Sequence, residues 1–249
     1  MISLDETIDY CVSSVLLEIR GSFKWDEFKK LPLYKKNEYA EKHLQKLGTG
    51  SSRHAFLISN RYVLKIARTD ADGAVRKGLG QNKSEIDVYT NPLSKNVVSK
   101  IYDSGEGDQW LVSEIVRPIK SEEEFQKLTG INWALFRTAL KNPKNADEIL
   151  QSEIDERENG IKTWKRRGND AKVKQQEEVL KAVYTLSSSP MLKGALALLN
   201  YAGVMPGDLT VYDHWGKTAD GRVVLLDYGF TKDLAHLYGV QVDSSAKTV

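Results

Sequence analysis

Apolar residues fall into three regimes along the chain. Residues 1–46 read as helices. Asp5 or Thr7 caps a first one, with Ile8, Val12, Val15, Leu16 and Ile19 on one face and Gly21 as its stop. A second helical stretch, rich in Lys and Glu, runs from Trp25 to Leu47. Residues 47–118 change period to short strands punctuated by glycine, with one helix over Asn82–Tyr89 and hairpin turns at Ser59-Asn60 and Ser104-Gly105-Glu106-Gly107. Residues 121–202 return to helical spacing. Glu122–Leu140 carries Phe125, Leu128, Ile131, Trp133, Leu135 and Phe136 as a buried face. Asp147–Leu180 is long and charged, with mixed signs at helical spacing that suit a solvated face with i,i+4 pairs. Leu192–Tyr201 is an apolar helix. After it, the run Val223-Val224-Leu225-Leu226 and the turn signal Ala219-Asp220-Gly221-Arg222 predict a hairpin over 211–227.

Composition narrows the class. The chain has 249 residues, 41% of them hydrophobic, which suits one two-lobed domain or two small ones. The net charge of +2 gives no bulk attraction to nucleic acid or membrane. Cys11 is the single cysteine, so no internal disulfide can form, which fits a reducing compartment. No apolar run is long enough to span a membrane, and Met1–Glu6 lacks the basic start of a signal peptide. A cytoplasmic location is the default expectation.

The chemistry concentrates near the C-terminus. Gly207-Asp208 lies in a turn, Asp213 follows shortly after, and Asp227 closes an apolar strand. The hairpin brings Asp213 and Asp227 to one end, and clustered carboxylates beside a turn suit Mg²⁺ held against phosphates. An Asp directly after Val-Val-Leu-Leu costs burial unless something pairs with it. Taken alone, Asp208 reads equally as a turn residue and Asp213 as an Asx turn. Lys65 alone reads as an exposed strand position and Glu85 alone as a solvated helix face.

In order, these residues resemble a protein-kinase-like phosphotransferase. Leu47-Gly48-Thr49-Gly50-Ser51-Ser52-Arg53 resembles the Gly-rich loop. Val63-Leu64-Lys65-Ile66 resembles the strand with the phosphate-binding Lys, and Glu85 stands at the family's spacing for its ion-pair partner. Trp110–Val116 resembles the strand leading to the adenine hinge, with Glu114 at its end, and Asp227-Tyr228-Gly229 resembles D-F-G. Gly207 before Asp208 is similar to the H-G-D motif of small-molecule kinases of the aminoglycoside type. The resemblance covers roughly 45–118 and 200–231. The chain departs from it at Arg53 (the third loop glycine), Pro206 (the usual His), Asp213 (the usual Asn) and Tyr228 (the usual Phe). Only a short tail follows Gly229, too little for a peptide-binding platform.

The resemblance implies an α+β, two-lobed kinase-like fold. Its expected parts are a helical extension (1–46), a small antiparallel-sheet lobe (47–118) and a reduced helical lobe with catalytic loop and metal-binding hairpin (119–249). It implies ATP with Mg²⁺ or Mn²⁺ as cofactors. Gly48, Gly50, Ser51, Lys65, Glu85 and Glu114 are expected to hold the nucleotide, Asp213 and Asp227 the metal, and Asp208 is the expected catalytic base. The phosphoacceptor is a small molecule or a specialised protein, and 1–46 or 141–185 is the candidate partner surface. Two alternatives stay open: a pseudokinase serving as a binding or scaffold module, favoured by the altered loop and Pro206, and an unrelated α+β interaction protein.

Overall fold

The computed structural model describes residues 23–71 and 73–237. The helix expected over residues 5–19 lies outside them. Two short helices come first, α1 (Trp25–Lys30) and α2 (Leu33–His43). They were expected as one stretch through Leu47. Pro32 divides them, because proline disfavours helical backbone in the residue before it. The sheet also begins earlier than expected, at Gln45.

Strands β1 (Gln45–Thr49), β2 (Arg53–Leu57), β3 (Tyr62–Ala67), β4 (Ile101–Ser104) and β5 (Trp110–Glu114) form one antiparallel sheet in the order β1-β2-β3-β5-β4. Helix α3 (Ala74–Thr90) links β3 to β4. Alternation along β3 sends Tyr62, Leu64 and Ile66 to one face and Val63, Lys65 and Ala67 to the other. The first face packs with Phe56, Trp110 and Val112 against Phe23, Trp25, Phe28, Ala40 and Leu44 of the α1–α2 region. Trp25 meets Trp110 edge-on with ring centroids 4.9 Å apart, an arrangement aromatic quadrupoles favour. The α1–α2 pair is therefore part of this lobe's core.

The other face of the sheet receives α3. Its buried residues are Ala74, Gly78, Asn82, Glu85 and Val88, one helical stripe that is mostly small or polar. The helix sits close: a Cβ on Gly78 would lie 2.5 Å from the Ser52 carbonyl oxygen and 2.7 Å from the Ala67 Cβ.

The second lobe has a separate, larger core containing Phe125, Trp133, Phe136, Leu140, Leu150, Leu186, Leu198 and Trp215. Helices α4 (Glu122–Thr129), α5 (Trp133–Lys141), α6 (Ala146–Arg166), α7 (Asp170–Ser187) and α8 (Pro190–Asn200) supply most of it. The charged run expected as one helix over Asp147–Leu180 is instead the hairpin α6–α7. It turns at Gly168, whose φ of +66° suits glycine, and Asn169 caps the new helix by accepting from the Lys172 N–H. Strands β6 (Val116–Pro118), β7 (Trp215–Thr218) and β8 (Val223–Leu225) form a three-stranded antiparallel sheet in that order. Its β7–β8 hairpin falls where the turn signal places it. The one-turn helix α9 (Pro206–Leu209) precedes it, and α10 (Lys232–Leu237) follows. The architecture is α+β, a small antiparallel-sheet lobe beside a mainly helical one. Among the described residues no helix is long and apolar enough to cross a membrane.

The close approach at Gly78 yields a prediction. Gly78→Val must push α3 off β3 or strain the strand, at a cost of about 1–3 kcal/mol. A thermal melt should show a clearly lower midpoint, and a variant as stable as wild type would contradict the packing described.

Candidate active site

The site starts from one buried acid. Glu85 is fully buried on the inward stripe of α3, and Lys65 projects from the facing strand β3. The Lys65 Nζ donates to both Glu85 carboxylate oxygens, at 3.0 and 2.8 Å. It also lies 3.4 Å from the Leu226 carbonyl oxygen, which places Lys65 beside Asp227. A carboxylate with no solvent stays ionised only if cations and donors replace the water it lost.

A second cation meets the same acid. Arg53 opens β2, and its side chain is buried under the lobe. Its Nη2 lies 2.7 Å from Glu85 Oε1 and 3.2 Å from Asp227 Oδ1, while Nη1 donates to Asn82 Oδ1 at 3.3 Å. Asn82 is held in turn by donating to the Asp108 carbonyl at 2.7 Å. Lys65, Arg53, Glu85 and Asp227 thus form a charge-balanced quartet.

Packing sets the chain after Asp227. Tyr228 is fully buried and donates to the Ser99 carbonyl at 2.8 Å. Gly229 passes so near α3 that a Cβ would lie 2.8 Å from the Gln81 carbonyl oxygen. Asp227 itself lies at the junction of the lobes, and its side chain keeps 59% of its solvent exposure. Crowding pushes its carboxyl up, but Arg53, Lys65 and His214, with the Gly229 N–H, outweigh this and hold it below the usual carboxylate range.

The catalytic-loop acid has the opposite environment. Asp208 sits on α9, and its Oδ2 is buried with no hydrogen-bond partner. Burial, with the neighbouring negative charge of Asp227, raises its carboxyl to about 6, against a smaller pull from His214. The His214 Nδ1 is 3.0 Å from the Asp208 carbonyl oxygen and 4.0 Å from its Oδ1. Asp213 is exposed on a one-turn 3₁₀ helix, Tyr212–His214. The β7–β8 register pairs Trp215 with Leu225, and the Leu226 N–H donates to the His214 carbonyl at 3.0 Å. The pairing ends there, because Tyr212–His214 is a 3₁₀ turn, so Asp213 lies just outside the hairpin and Asp227 two residues past β8.

Among the described residues no three His, Cys, Asp or Glu side chains make a ready metal cage. A phosphate-assisted Mg²⁺ site asks for less, one or two carboxylates with the phosphates supplying other oxygens. Asp213 and Asp227 fit that in number, donor type and access.

The remaining expected residues are placed less centrally. Gly48 and Gly50 are exposed, and a Cβ on either would meet nothing closer than the Arg53 carbonyl oxygen, 3.6 Å from Gly50. Neither glycine is required by packing. Ser51 is exposed at the turn, whose Gly50 carbonyl accepts from Arg68 Nη1 at 2.8 Å. The Glu114 carboxylate is taken: Arg222 donates to both oxygens at 2.9 and 2.7 Å, and the Lys100 N–H donates at 2.7 Å. Its side chain ties β5 to the β7–β8 hairpin and offers nothing to a ligand in this state. In sequence Arg53 stands out only as a departure at the third loop glycine, and His214 has no local mark. An Arg at a position that resembles a phosphate-loop glycine was the available signal for the first; nothing local marked Asn82.

No protein-family model matches the chain, and no curated protein matches it. Among solved structures it is similar to one described as the streptomycin-ATP-APH(2")-IIa ternary complex, with a TM-score of 0.28 and 15% identity. The likeness covers 59% of this chain and 39% of that one, so the chain matches well under half of its length. At that TM-score the likeness says nothing about activity.

The Asp208 environment predicts a pH effect. Its folded-state carboxyl titrates at about 6, against ~3.9 unfolded. A raised acid favours the folded state below the unfolded value, and that contribution is lost as pH rises through 6. Asp208→Asn removes the ionisation. Its melting temperature should therefore gain on wild type between about pH 4 and 7. A pH series of melts on both proteins checks this, and a difference flat with pH would contradict it.

Proposed function

We propose that the junction between the lobes, beside Lys65 and Asp227, binds a nucleoside triphosphate with Mg²⁺ or Mn²⁺, and that the chain transfers the γ-phosphoryl group to a hydroxyl. The observation that carries this is the Lys65–Glu85 pair, buried at 2.8 Å and set beside Asp227. An acid buried to orient one cation next to a solvent-reached carboxylate serves no packing purpose that an apolar pair would not serve as well. The two glycines that the fold does not need add support, since a backbone without Cβ admits phosphate oxygens.

In this reading Lys65 holds phosphate oxygens, oriented by Glu85. Gly48, Gly50 and Ser51 cover the phosphates, and the hinge around Glu114 receives the base through its backbone. Asp213 and Asp227 would hold the metal, which would supply positive charge against the negative charge of the transferring phosphoryl group. Asp208 accepts the acceptor's hydroxyl proton as the new O–P bond forms and the bond from the γ-phosphorus to the bridging oxygen breaks, releasing the diphosphate. A base titrating near 6 is ionised at neutral pH and still basic enough to take that proton. The acceptor is a small molecule or a specialised protein, and the α6–α7 hairpin is the candidate surface for a protein partner.

One observation favours a second reading. Arg53 already neutralises Asp227 at 3.2 Å, as a binding module without turnover could afford to do. Variants separate the two. Lys65→Ala should fold, because Glu85 keeps Arg53 as a partner, and should weaken ATP binding about tenfold or more. Asp208→Asn should bind ATP as wild type does and lose turnover by a factor on the order of 10²–10⁴. Asp227→Asn should lose Mg²⁺-dependent binding and turnover together. Calorimetry and phosphate-release assays check these. Wild type that binds ATP yet turns over with neither Mg²⁺ nor Mn²⁺ would leave the binding-module reading standing.

A further inference from the structure

We propose that Arg53 is a phosphate ligand of this site, exchanging its contact with Asp227 for a nucleotide phosphate oxygen. This rests on the reading that the junction between the lobes takes a nucleotide. The guanidinium is anchored by two contacts and carries a third, from the same Nη2 that meets Glu85, that is replaceable. Nη1 is held by Asn82, and Nη2 by Glu85 at 2.7 Å, both partners fully buried on α3. The contact with Asp227 is longer, 3.2 Å, and its acceptor is the one member of the quartet that solvent reaches freely. A ligand reaching Asp227 from solvent can displace that contact without moving the anchor.

Charge then selects the incoming group. The quartet is neutral: two cations, Lys65 and Arg53, face two acids, Glu85 and Asp227. When Asp227 turns to another partner, Arg53 keeps half of a buried carboxylate it shares with Lys65 and is short of an anion. A phosphate oxygen restores the balance, and a planar guanidinium suits it in geometry as well as charge. Lys65 approaches the same space from β3, so the two cations flank one place from adjacent strands, whose register runs Arg53↔Ala67 and Ala55↔Lys65. Arg53 occupies the start of β2, directly after the Gly50–Ser52 turn, so turn and guanidinium belong to one short segment.

The test is calorimetric titration of ADP and of a non-hydrolysable ATP analogue into the full chain, once with EDTA and once with Mg²⁺. Arg53→Gln should weaken binding about tenfold or more under both conditions. Arg53→Lys keeps the charge but has no fork to hold Asn82 and Glu85 while reaching a phosphate, so its loss should be intermediate. If Arg53→Gln does not fold, as a melt would show, Arg53→Lys decides, and affinity equal to wild type counts against the proposal. Wild type that binds while Arg53→Gln binds as tightly or more tightly overturns the proposal alone; Arg53 would then be a latch on Asp227. Wild type that does not bind nucleotide at all overturns the nucleotide reading, and this one with it.

Discussion

The carboxylate of Glu85, fully out of contact with water, is the constraint on which the rest of the molecule depends. Left alone it would either take up a proton or expel α3 from the sheet. Lys65 and Arg53 resolve that, each within 2.8 Å, and neither is adjacent to it in the chain. The arrangement holds β2, β3 and α3 together through charge, where the opposite face of the same sheet is held by aromatic packing. One sheet thus carries two kinds of adhesive. The apolar side tolerates substitution of similar volume, whereas the polar side fails sharply only if Glu85 loses both of its cations.

The polar side also connects the lobes. Arg53 reaches Asp227, Lys65 reaches the Leu226 carbonyl, and Glu114 at the end of β5 grips Arg222 on the β7–β8 hairpin. Tyr228 adds a large buried ring, tied to the Ser99 carbonyl at 2.8 Å. These contacts converge on the two ends of one hairpin, its turn near Arg222 and its mouth near Asp227. The hairpin is braced at both ends, and Asp227 follows its second strand directly, tied by the contact with Arg53.

How much of this could be read from the chain depends on how local each signal is. The β7–β8 hairpin was legible because alternation and an Asp-Gly turn occur within a few residues. The core of α4 and α5 was legible because its apolar stripe repeats at helical spacing. By contrast, the inward stripe of α3 is Ala, Gly, Asn, Glu and Val, so hydrophobic periodicity cannot find it. Glu85 and Lys65 emerged only through a family resemblance in spacing. Strand β1 is exposed at all five positions and shows no alternation to detect. The division of the 147–180 region at Gly168-Asn169 was written in turn residues but masked by uninterrupted charge on both sides. Arg53 is the extreme case, since its partner Asp227 lies 174 residues away and no local pattern records the contact.

The α6–α7 hairpin has a consequence of a different kind. Its buried side chains on α6 are Ala146, Leu150 and Ile154, all in the first half of the helix. From there to Arg166 no residue is buried, and the far end closes on itself, with Arg167 and Lys172 over the Trp164 ring at 5.1 and 5.4 Å. Such a projection is an almost independent cooperative unit: its tip can open and close without disturbing the core that feeds Asp208. Substitutions on its outer surface should therefore leave the chemistry beneath little changed.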